Sequence, residues 1–536
     1  MDKASWWRSA AICQVYPRSF ADGNGDGIGD LAGVRARLPY LRDLGVDAMW
    51  FSPWYPSPMA DAGYDVADYR DIDPAFGTLA EADALIAEAH ALGLRVILDL
   101  VPNHCSSAHP WFLAAVAAGK GSAAREWFHF RDGRGPDGEL PPNNWMSNFG
   151  GPAWTRVPDG QWYLHLFDAG QPDLNWANPR VHREFEEILR FWFEKGVDGF
   201  RIDAIAGATK DPLLPDFDPE NPPTPHPYID RDELHDILRG WRKVADEFPD
   251  RVLVGEVWLP DNALLYRYLR PGELHTAFNF EFLMSAWQAD SLRSVIDETL
   301  ASHAPVGAPP TWVLSNHDVI RHVTRYGRAD TTFGHGHRQI GLPTDLALGT
   351  RRARAATLLS LALPGSVYVY QGEELGLWEV EDLPGGLRQD PVFKRTNGAD
   401  LGRDGCRVPL PWSGDAPPFG FSPSGASAQP WLPQPAAWRE YTMEAESADP
   451  DSMLSLYRAA LAIRHAQPSF VDEVLGWLPA PEGVLAFSRG EGVICVVNLS
   501  AGAVPLPGHG SVLLASGPLE NGALPTDTAV WLSPTR

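Results

Sequence analysis

The sequence is poor in cysteine and in long apolar runs. Its 536 residues include only four cysteines, Cys13, Cys105, Cys406 and Cys495, which lie far apart and form no CxxC pair. Such spacing favours small, buried, reduced thiols over a disulfide framework or a zinc site. No apolar run reaches the roughly 18 residues of a membrane span, and the N-terminal residues lack the apolar core of a signal peptide. We therefore expect a cytoplasmic protein with no membrane partner.

Basic residues are also scarce relative to acidic ones. The chain carries 44 Lys and Arg against 69 Asp and Glu, a formal net charge of −25. Nucleic acids and anionic membranes bind to basic surfaces, so this balance argues against both as partners. It favours a small neutral or cationic ligand.

Several common catalytic and phosphate-binding motifs are missing. The early glycines do not follow the G-x-G-x-x-G spacing, and no G-K-[ST] sequence follows them. The chain has neither the G-x-S-x-G turn of serine hydrolases nor an H-E-x-x-H zinc helix. His335 and His337 are expected to lie in a solvated loop. These absences leave no sequence support for an organic cofactor or a catalytic zinc ion.

What the sequence does contain is a repeated order of helix end, glycine and short apolar strand. The segments LRDLGVDAMWFSP, AHALGLRVILDLVPNH and FEKGVDGFRIDAI show it, with Gly45, Gly93 and Gly196 at the position that ends a helix. Further strands are predicted at AICQVYP, RVLVGEVW, AFNF, TWVLSNHD and GSVYVYQGEE, with helices between them at about 79–92, 181–195 and 351–363. Eight buried strands alternating with helices predict an α/β fold, a (β/α)8 TIM barrel.

Two stretches break this order and suggest the domain limits. We predict a first part of the barrel at 1–104, an inserted domain at 105–172 after the third strand, and the rest of the barrel at 173–470. The inserted stretch shows no clean helical period, and an irregular Pro-rich excursion occupies about 379–440. Strand-like pieces at VLAFSRG, GVICVVNLS and SVLLAS predict a C-terminal antiparallel β-sandwich domain at 471–536.

Charged and polar residues follow the predicted barrel strands. The third strand ends at Asp99, the fourth at Arg201 and Asp203, the fifth at Glu256, and the seventh at His317 and Asp318. Barrel enzymes build their active sites at the carboxyl ends of their strands. Each residue alone could be a helix cap or a buried ion pair, but together they suit glycoside hydrolysis, which needs two carboxyl groups flanking the bond.

The stretch DGNGDGIGD combines acidic or amide side chains with four glycines. Asp22, Asn24, Asp26, the Ile28 carbonyl and Asp30 fall at positions 1, 3, 5, 7 and 9 of an EF-hand-like count. Position 12 is a glycine instead of the bidentate glutamate, so the pattern is not a true EF-hand. A solvated turn and a hard-cation loop both remain open from these residues alone.

The whole set of motifs resembles glycoside hydrolase family 13, the α-amylase superfamily, and within it the α-glucosidase and oligo-1,6-glucosidase branch. The segments that carry the resemblance occur in family order: DGNGDGIGDL, GYDVADYRDIDPAFGT, DLVPNH, QPDLNW, GFRIDAI, GEVW, SNHD and GCRVPLPW. The resemblance implies that Asp203 is the nucleophile, Glu256 the general acid/base and Asp318 the third carboxylate, which grips the sugar hydroxyls. It also implies that the 22–30 loop binds structural calcium, or magnesium in some members.

The resemblance further implies a pocket around one terminal glucose. Residues that match its wall, shell or flanking aromatics are Tyr64, Asp65, Asp99, His104, Phe149, Phe167, Arg201, His317 and Arg407. Arg201 is expected to lower the pKa of Asp203, and burial with anionic neighbours to raise that of Glu256.

The residue after the nucleophile bears on linkage. Branch members that favour α-1,6 bonds resemble RIDVI, whereas α-1,4 enzymes carry a smaller residue, and here the position is Ala204. The expected activity is a retaining α-glucosidase acting on maltose and short α-1,4 glucosides, with transglucosylation. The alternatives are an α-1,6 glucosidase, a sucrose isomerase, a trehalose synthase or a transglucosidase. A remote alternative is a non-catalytic relative that serves as a partner protein. The oligomeric state is not predicted.

Overall fold

The centre of the molecule is an eight-stranded parallel sheet. The computed structural model describes residues 5–259, 262–334, 340–471, 474–506 and 510–534, so His335 and His337 lie outside the described residues. The sheet runs in the order β10-β11-β1-β2-β3-β7-β8-β9. In chain order, the strands up to residue 370 are β1 (Ala11–Val15), β2 (Ala48–Phe51), β3 (Arg95–Leu100), β4 (Phe130–Asp132), β5 (Trp154–Arg156), β6 (Gln161–Leu164), β7 (Gly199–Ile202), β8 (Val252–Gly255), β9 (Thr276–Ala277), β10 (Thr311–Val313) and β11 (Ser366–Tyr370).

A side chain bridges the two end strands of this sheet. The Thr311 hydroxyl donates to the Ala277 carbonyl at 2.7 Å and accepts from the Asn279 amide at 3.2 Å. These bonds link β9 to β10 where the backbone ladder is missing. The nearly closed ring confirms the predicted (β/α)8 barrel.

Helices lie between the barrel strands and also in the segments that follow β3 and β11. They are α1 (Pro17–Phe20), α2 (Leu31–Leu44), α3 (Leu79–Ala91), α4 (Pro110–Ala118), α5 (Pro179–Glu194), α6 (Leu234–Asp246), α7 (Phe280–Met284), α8 (Ala289–His303), α9 (His322–Tyr326), α10 (Leu346–Ala362), α11 (Pro391–Arg395), α12 (Met443–Ala448) and α13 (Met453–Ala466). Gly45, Gly93 and Gly196 follow α2, α3 and α5 with φ of 93°, 80° and 99°. The left-handed conformation predicted at these helix ends is therefore confirmed. Among the described residues, no helix combines the length and apolarity needed to cross a bilayer.

The barrel strands are buried on both faces, which explains their continuous apolar sequence. In β1, Ile12 packs inside the barrel with Trp50, Ile97 and Val254, whereas its neighbour Cys13 packs outward toward the helices. This alternation follows from the two-residue period of a strand. Two separate apolar layers thus fix the strands, and the strand ends carry the polar groups.

The segment that the sequence analysis predicts as an insertion, residues 105–172, holds a helix that the sequence pattern did not predict. Helix α4 reads PWFLAAVAA and is apolar on every face, so it has no amphipathic period to detect; Leu113 on it is 56% exposed. The rest of the segment carries a small antiparallel sheet in the order β4-β6-β5. An isolated bridge between His104 and Asp173 joins the two ends of the segment beside the barrel.

The C-terminal part is antiparallel, as predicted. Its strands are β12 (Leu475–Trp477), β13 (Val484–Arg489), β14 (Val493–Asn498), β15 (Val504–Pro505), β16 (Gly510–Ala515), β17 (Ala523–Leu524) and β18 (Thr528–Pro534). The larger sheet has the order β12-β13-β14-β18-β16, so the unpredicted β18 lies between two predicted strands. The Trp531 indole on β18 donates to the Leu358 carbonyl of α10 at 3.0 Å, which ties this sheet to the barrel helices.

Candidate active site

Charged side chains from several strands meet at one end of the barrel. Asp99 lies in β3 and Arg201 in β7, while Asp203 and Glu256 follow directly after β7 and β8. Because all eight strands are parallel, their carboxyl ends share one rim, and residues far apart in the chain become neighbours there.

A cavity of about 500 Å³ opens at this rim. Eight residues named from the sequence line it: Tyr64, His104, Phe149, Phe167, Asp203, Ala204, Glu256 and Asp318. Arg201, His317 and Arg407 lie behind the wall, almost fully buried, and contact the lining carboxylates. A lining that combines aromatic side chains with carboxylates suits a sugar, which offers both apolar faces and hydroxyl groups.

One guanidinium organises three carboxyl groups. Arg201 Nη1 lies 2.8 Å from Asp99 Oδ1 and 2.6 Å from Asp203 Oδ1, and its Nη2 lies 2.6 Å from Glu256 Oε2. Asp203 and Glu256 thus bind the two terminal nitrogens of one guanidinium, which brings their carboxyl groups close together. Three carboxyl groups around a single guanidinium carry more negative charge than it balances, which favours retention of a proton in the cluster.

The charge balance of this cluster explains a difference from the sequence expectation. Arg201 does favour the ionised form of Asp203, but burial is the larger effect, and Glu256 and Asp99 add to it. The pKa of Asp203 is therefore raised well above the ordinary value of an aspartate, not lowered. Burial likewise raises the pKa of Asp99 to about 7 despite its contact with Arg201. A single guanidinium does not offset three buried carboxylates.

Asp318 has the opposite environment. Its Oδ1 accepts from Arg403 Nη1 at 3.0 Å and from Arg407 Nη2 at 2.9 Å. Burial alone would raise the pKa of Asp318, but His317 and the two guanidinium groups hold it well below the ordinary range. The site thus places a permanently ionised carboxylate beside a carboxyl cluster that retains a proton.

His317 is a neutral partner of Asp318. Burial lowers the pKa of the imidazole to about 3. The Gln14 amide donates to Nδ1 at 2.7 Å, so the proton sits on Nε2, which lies 3.2 Å from Asp318 Oδ2. The ring also stacks on Tyr64, with centroids 5.2 Å apart.

Tyr64 and His104 are fixed by hydrogen bonds at the pocket wall. The Tyr64 hydroxyl donates to Asp99 Oδ2 at 3.0 Å. His104 accepts from the Asn103 amide at Nδ1 and donates from Nε2 to the Tyr64 carbonyl at 3.1 Å. Its ring lies 5.0 Å from that of Phe167, which in turn meets Phe149 edge to face. These contacts give the wall a defined shape.

Asp65 does not reach the pocket, contrary to the sequence expectation. Its buried carboxylate accepts from the Ser57 hydroxyl and from the Ala60 and Asp61 amides, and so shapes the preceding loop. The carboxylate at the wall belongs instead to Asp61, which lies 2.6 Å from Arg403.

Asp61 and Arg403 are lining residues that the sequence reading missed. Asp61 stands three residues before Tyr64, in DAGYD, and Arg403 four before Arg407, in RDGCR. The aspartate on either side of the GY pair fits the motif equally well in sequence. Only the fold of the loop decides which one faces the cavity.

Ala204 has an uncommon backbone conformation. Its φ is 42°, in the left-handed region that non-glycine residues seldom adopt. This turn directs the Ala204 amide to Glu256 Oε2 at 3.1 Å and leaves the methyl group at the cavity wall. On its other oxygen, Oε1, Glu256 accepts from the Trp258 indole at 2.9 Å.

The 22–30 loop lies outside this pocket. Asp22 accepts from the Gly25 and Gly27 amides, and Asp30 caps α2 by accepting from the Gly33 amide. Within the described chain, no three His, Cys, Asp or Glu side chains are grouped as a metal cluster, and no Lys or Arg pairs with the three loop carboxylates. The donors are all oxygen atoms and their charge is unbalanced by a basic group, which fits a hard cation such as calcium.

Comparison with known proteins agrees with the geometry. The family model described as "Alpha amylase, catalytic domain" matches residues 14–473. A probable alpha-glucosidase of Rhizobium meliloti is 41% identical, over 95% of this chain and 93% of that protein. An oligo-1,6-glucosidase of Parageobacillus thermoglucosidasius is 34% identical, over 86% of this chain and 83% of that protein.

Solved structures are similar over nearly the whole chain. The alpha-glucosyl transfer enzyme XgtA superposes with a TM-score of 0.85 at 37% identity, covering 99% of this chain and all of that one (100%). The trehalulose synthase MutB of Pseudomonas mesoacidophila gives 0.86 at 32% identity, with the same coverage of 99% and 100%. This chain is therefore a glycoside hydrolase of the α-amylase family, in the branch that contains the α-glucosidases and oligo-1,6-glucosidases.

Proposed function

We propose that this enzyme is a retaining α-glucosidase that releases glucose from the non-reducing end of maltose and short α-1,4 glucosides. The observation that carries the proposal is the convergence of Asp203, Glu256 and Asp318 on one cavity of about 500 Å³. Four buried thiols without a disulfide suit a reducing compartment, and we place the enzyme in the cytoplasm.

The arrangement of the two central carboxyl groups favours retention. Inverting enzymes separate their carboxyl groups by about 6.5–9.5 Å to admit a water molecule, whereas retaining enzymes hold them about 5 Å apart. Here Asp203 and Glu256 each lie 2.6 Å from the same guanidinium, which holds their carboxyl groups near each other and favours the shorter separation.

In the first step, the proton of the cluster lies on Glu256; the Asp203 carboxylate attacks the anomeric carbon while that proton passes to the glycosidic oxygen. The bond between carbon and leaving oxygen breaks, and a covalent glucosyl-enzyme forms. Glu256, now a carboxylate, then removes a proton from water, whose oxygen attacks the same carbon and releases Asp203. A sugar hydroxyl in place of water gives transglucosylation. Asp318, ionised at any ordinary pH, binds sugar hydroxyl groups and stabilises positive charge on the ring.

The decisive experiment for the chemistry is Asp203→Asn. The variant keeps the shape of the site but lacks the nucleophile, so we expect turnover of maltose to fall by at least about 10⁴-fold. Asp43→Asn, which makes the same change in charge at an exposed position of α2, serves as the matched control and should retain turnover. Parent-like activity of Asp203→Asn would mean that the nucleophile lies elsewhere.

The linkage assignment depends on the small side chain of Ala204. We expect the parent enzyme to prefer maltose over isomaltose, and Ala204→Val to shift the ratio of kcat/KM values toward isomaltose. Because a β-branched residue is disfavoured at a φ of 42°, Ala204→Gly is measured in parallel to separate backbone effects from side-chain size. Equal or better hydrolysis of isomaltose by the parent would overturn the α-1,4 assignment.

The main alternative is an isomerase or transglucosidase with the same three carboxylates. The similarity to the alpha-glucosyl transfer enzyme XgtA and to the trehalulose synthase MutB supports this alternative. Such an enzyme would withhold the glucosyl group from water and pass it to a sugar. Incubation with maltose, isomaltose, sucrose and trehalose, followed by separation of the products, distinguishes free glucose from a rearranged disaccharide.

A further inference from the structure

The two oxygens of Glu256 have different partners. Oε2 contacts Arg201 Nη2 at 2.6 Å and the Ala204 amide at 3.1 Å, so two donors already point at it. Oε1 accepts from the indole Nε1 of Trp258 at 2.9 Å. A protonated oxygen is a poor acceptor for two donors, and the transferable proton therefore resides on Oε1.

Trp258 reaches Oε1 because the chain stays extended after β8. The Glu256 amide donates to the Ile202 carbonyl at 2.8 Å, and the Phe278 amide donates to the Gly255 carbonyl at 2.9 Å, continuing the pairing beyond the strand end. In an extended chain, residues two apart face the same side. Glu256 and Trp258 consequently both face the cavity, which both of them line.

The indole itself is held by a second ring. Trp258 stacks face to face on Phe280, with centroids 3.6 Å apart and planes 4° apart. Phe280 is buried and is the first residue of α7, whose N-terminus is capped by the Asn279 side chain. Helix α7 thus holds the Phe280 ring in place, and that ring holds the Trp258 indole. The direction of the indole N–H is therefore set before substrate binds.

We propose that Trp258 is a positioning residue for the glucosidase reaction: its indole N–H orients Glu256 Oε1 so that the proton travels to the glycosidic oxygen. This inference rests on the proposed function and extends it to a residue outside the three carboxylates. The N–H bond strengthens as Oε1 becomes negative, because hydrogen bonds to an ionised acceptor are stronger. The hydrogen bond from Trp258 therefore favours the step in which Glu256 loses its proton. The same bond becomes weaker when Glu256 regains the proton.

Trp258→Phe tests the proposal because it removes the N–H and keeps an aromatic ring for Phe280. We expect kcat/KM for maltose to fall about 10-fold, and the alkaline limb of its pH profile to move upward by about half a unit, since the carboxylate loses a donor. With 4-nitrophenyl α-glucoside, whose leaving group departs without a proton, kcat/KM should change less than about 2-fold.

Trp477→Phe is the matched control. The Trp477 indole also donates to a carboxylate, Asp297 Oδ1 at 2.6 Å, but at the junction of β12 and α8. The Trp477→Phe variant should leave kcat/KM for both substrates, and the pH profile, unchanged. Phe280→Leu is a second test, because it retains the indole N–H but removes the ring that supports it. We expect the ratio of kcat/KM for maltose to kcat/KM for the aryl glucoside to fall about half as much as in Trp258→Phe.

Two outcomes would overturn the proposal. Equal losses on maltose and the aryl glucoside would assign Trp258 to sugar stacking alone, and an unmoved pH profile in both Trp258→Phe and Phe280→Leu would assign it a structural role. If Trp258→Phe does not fold, Phe280→Leu decides. Absence of glucosidase activity in the parent enzyme would instead refute the proposed function, so the two failures are distinguishable.

Discussion

At the scale of residues, the carboxyl groups of the site differ in the number of guanidinium groups that each one contacts. Asp318 contacts two guanidinium groups, whereas Asp99, Asp203 and Glu256 share one. The first is therefore ionised throughout the working range, and the cluster retains a proton there. Glycoside hydrolysis needs both states at once, and pairs of groups with divergent titration are a usual sign of acid/base roles.

Arg403 joins this charge pattern to the pocket wall. Its guanidinium contacts Asp61 at 2.6 Å, Asp318 at 3.0 Å and Asp390 at 2.5 Å. Lysine keeps the charge but cannot bind three carboxylates in one plane. We expect Arg403→Lys to reduce kcat/KM for maltose by about 100-fold, because Asp318 loses its orientation.

Arg134→Lys is a suitable control for that measurement. The Arg134–Asp216 pair is about half exposed, and such pairs contribute little. Steady-state kinetics on purified, folded protein would check both variants. Parent-like kinetics for Arg403→Lys would show that charge alone, without the planar fork, positions Asp318.

At the scale of elements, loops and short helices above the strand ends complete the pocket. Helix α11, which follows β11, places Arg395 against the inserted segment, where its Nη2 donates to the Gly150 carbonyl at 2.5 Å. Val392 of the same helix lines the cavity together with Phe149 and Phe167. The pocket thus depends on contacts between loops that follow different barrel strands.

The 22–30 loop is an element whose stability we expect to depend on a cation. We propose that Asp22, Asn24, Asp26, the Ile28 carbonyl and Asp30 bind calcium, with magnesium as a second candidate. Bound calcium would offset the repulsion among the three carboxylates and hold the loop before α2. Removal with EDTA should lower the melting temperature, and calcium at about 100 times its Kd should restore about 2.7 kcal/mol of stability.

Asp26→Asn tests the ligands, since Asp26 is exposed and its loss should weaken calcium binding without disturbing the core. Asp43→Asn, on the exposed face of α2, is the control with the same change in charge. Calorimetry and thermal unfolding with calcium or magnesium would measure both. A melting temperature insensitive to EDTA and to both cations would identify the loop as an ordinary turn.

At the scale of the whole molecule, the excess of acidic groups extends into the interior. Glu373 and Glu374 lie buried just beyond β11 and accept from the Tyr457 and Tyr40 hydroxyl groups at 2.6 and 2.7 Å. Burial, with the neighbouring Glu374, raises the pKa of Glu373 to about 8. The folded protein therefore binds a proton there that the unfolded chain releases above its ordinary pKa of about 4.5.

Stability should consequently fall as pH rises from about 7.5 to 8.5. In this range the unfolded state binds fewer protons than the folded state, so the free energy of unfolding decreases with pH. Unfolded histidines, whose ordinary pKa is about 6.5, are mostly neutral above about pH 7.5 and add little to this change. We expect a fall in melting temperature on the order of 1 °C, and Glu373→Gln should make the curve flatter.

Glu444→Gln, which alters an acid on the short helix α12, controls for the change in net charge. Thermal unfolding at several pH values would measure the three proteins. A parent melting temperature that stays constant or rises up to pH 8.5 would contradict the assignment of a buried, protonated Glu373.

Sequence alone determined the barrel, because buried parallel strands leave continuous apolar runs and helix ends leave glycines such as Gly45 and Gly93. It also predicted that Asp203, Glu256 and Asp318 lie at one rim of the barrel, since the carboxyl ends of parallel strands lie at the same end of the sheet. It did not reveal α4, whose uniformly apolar sequence has no period, or β18. Only the tertiary structure decided that Asp61 and not Asp65 faces the cavity, that Arg201 serves three carboxyl groups, and that Trp258 meets Glu256. Each of these depends on loop conformation and on charge contacts between residues distant in sequence, which local pattern does not encode.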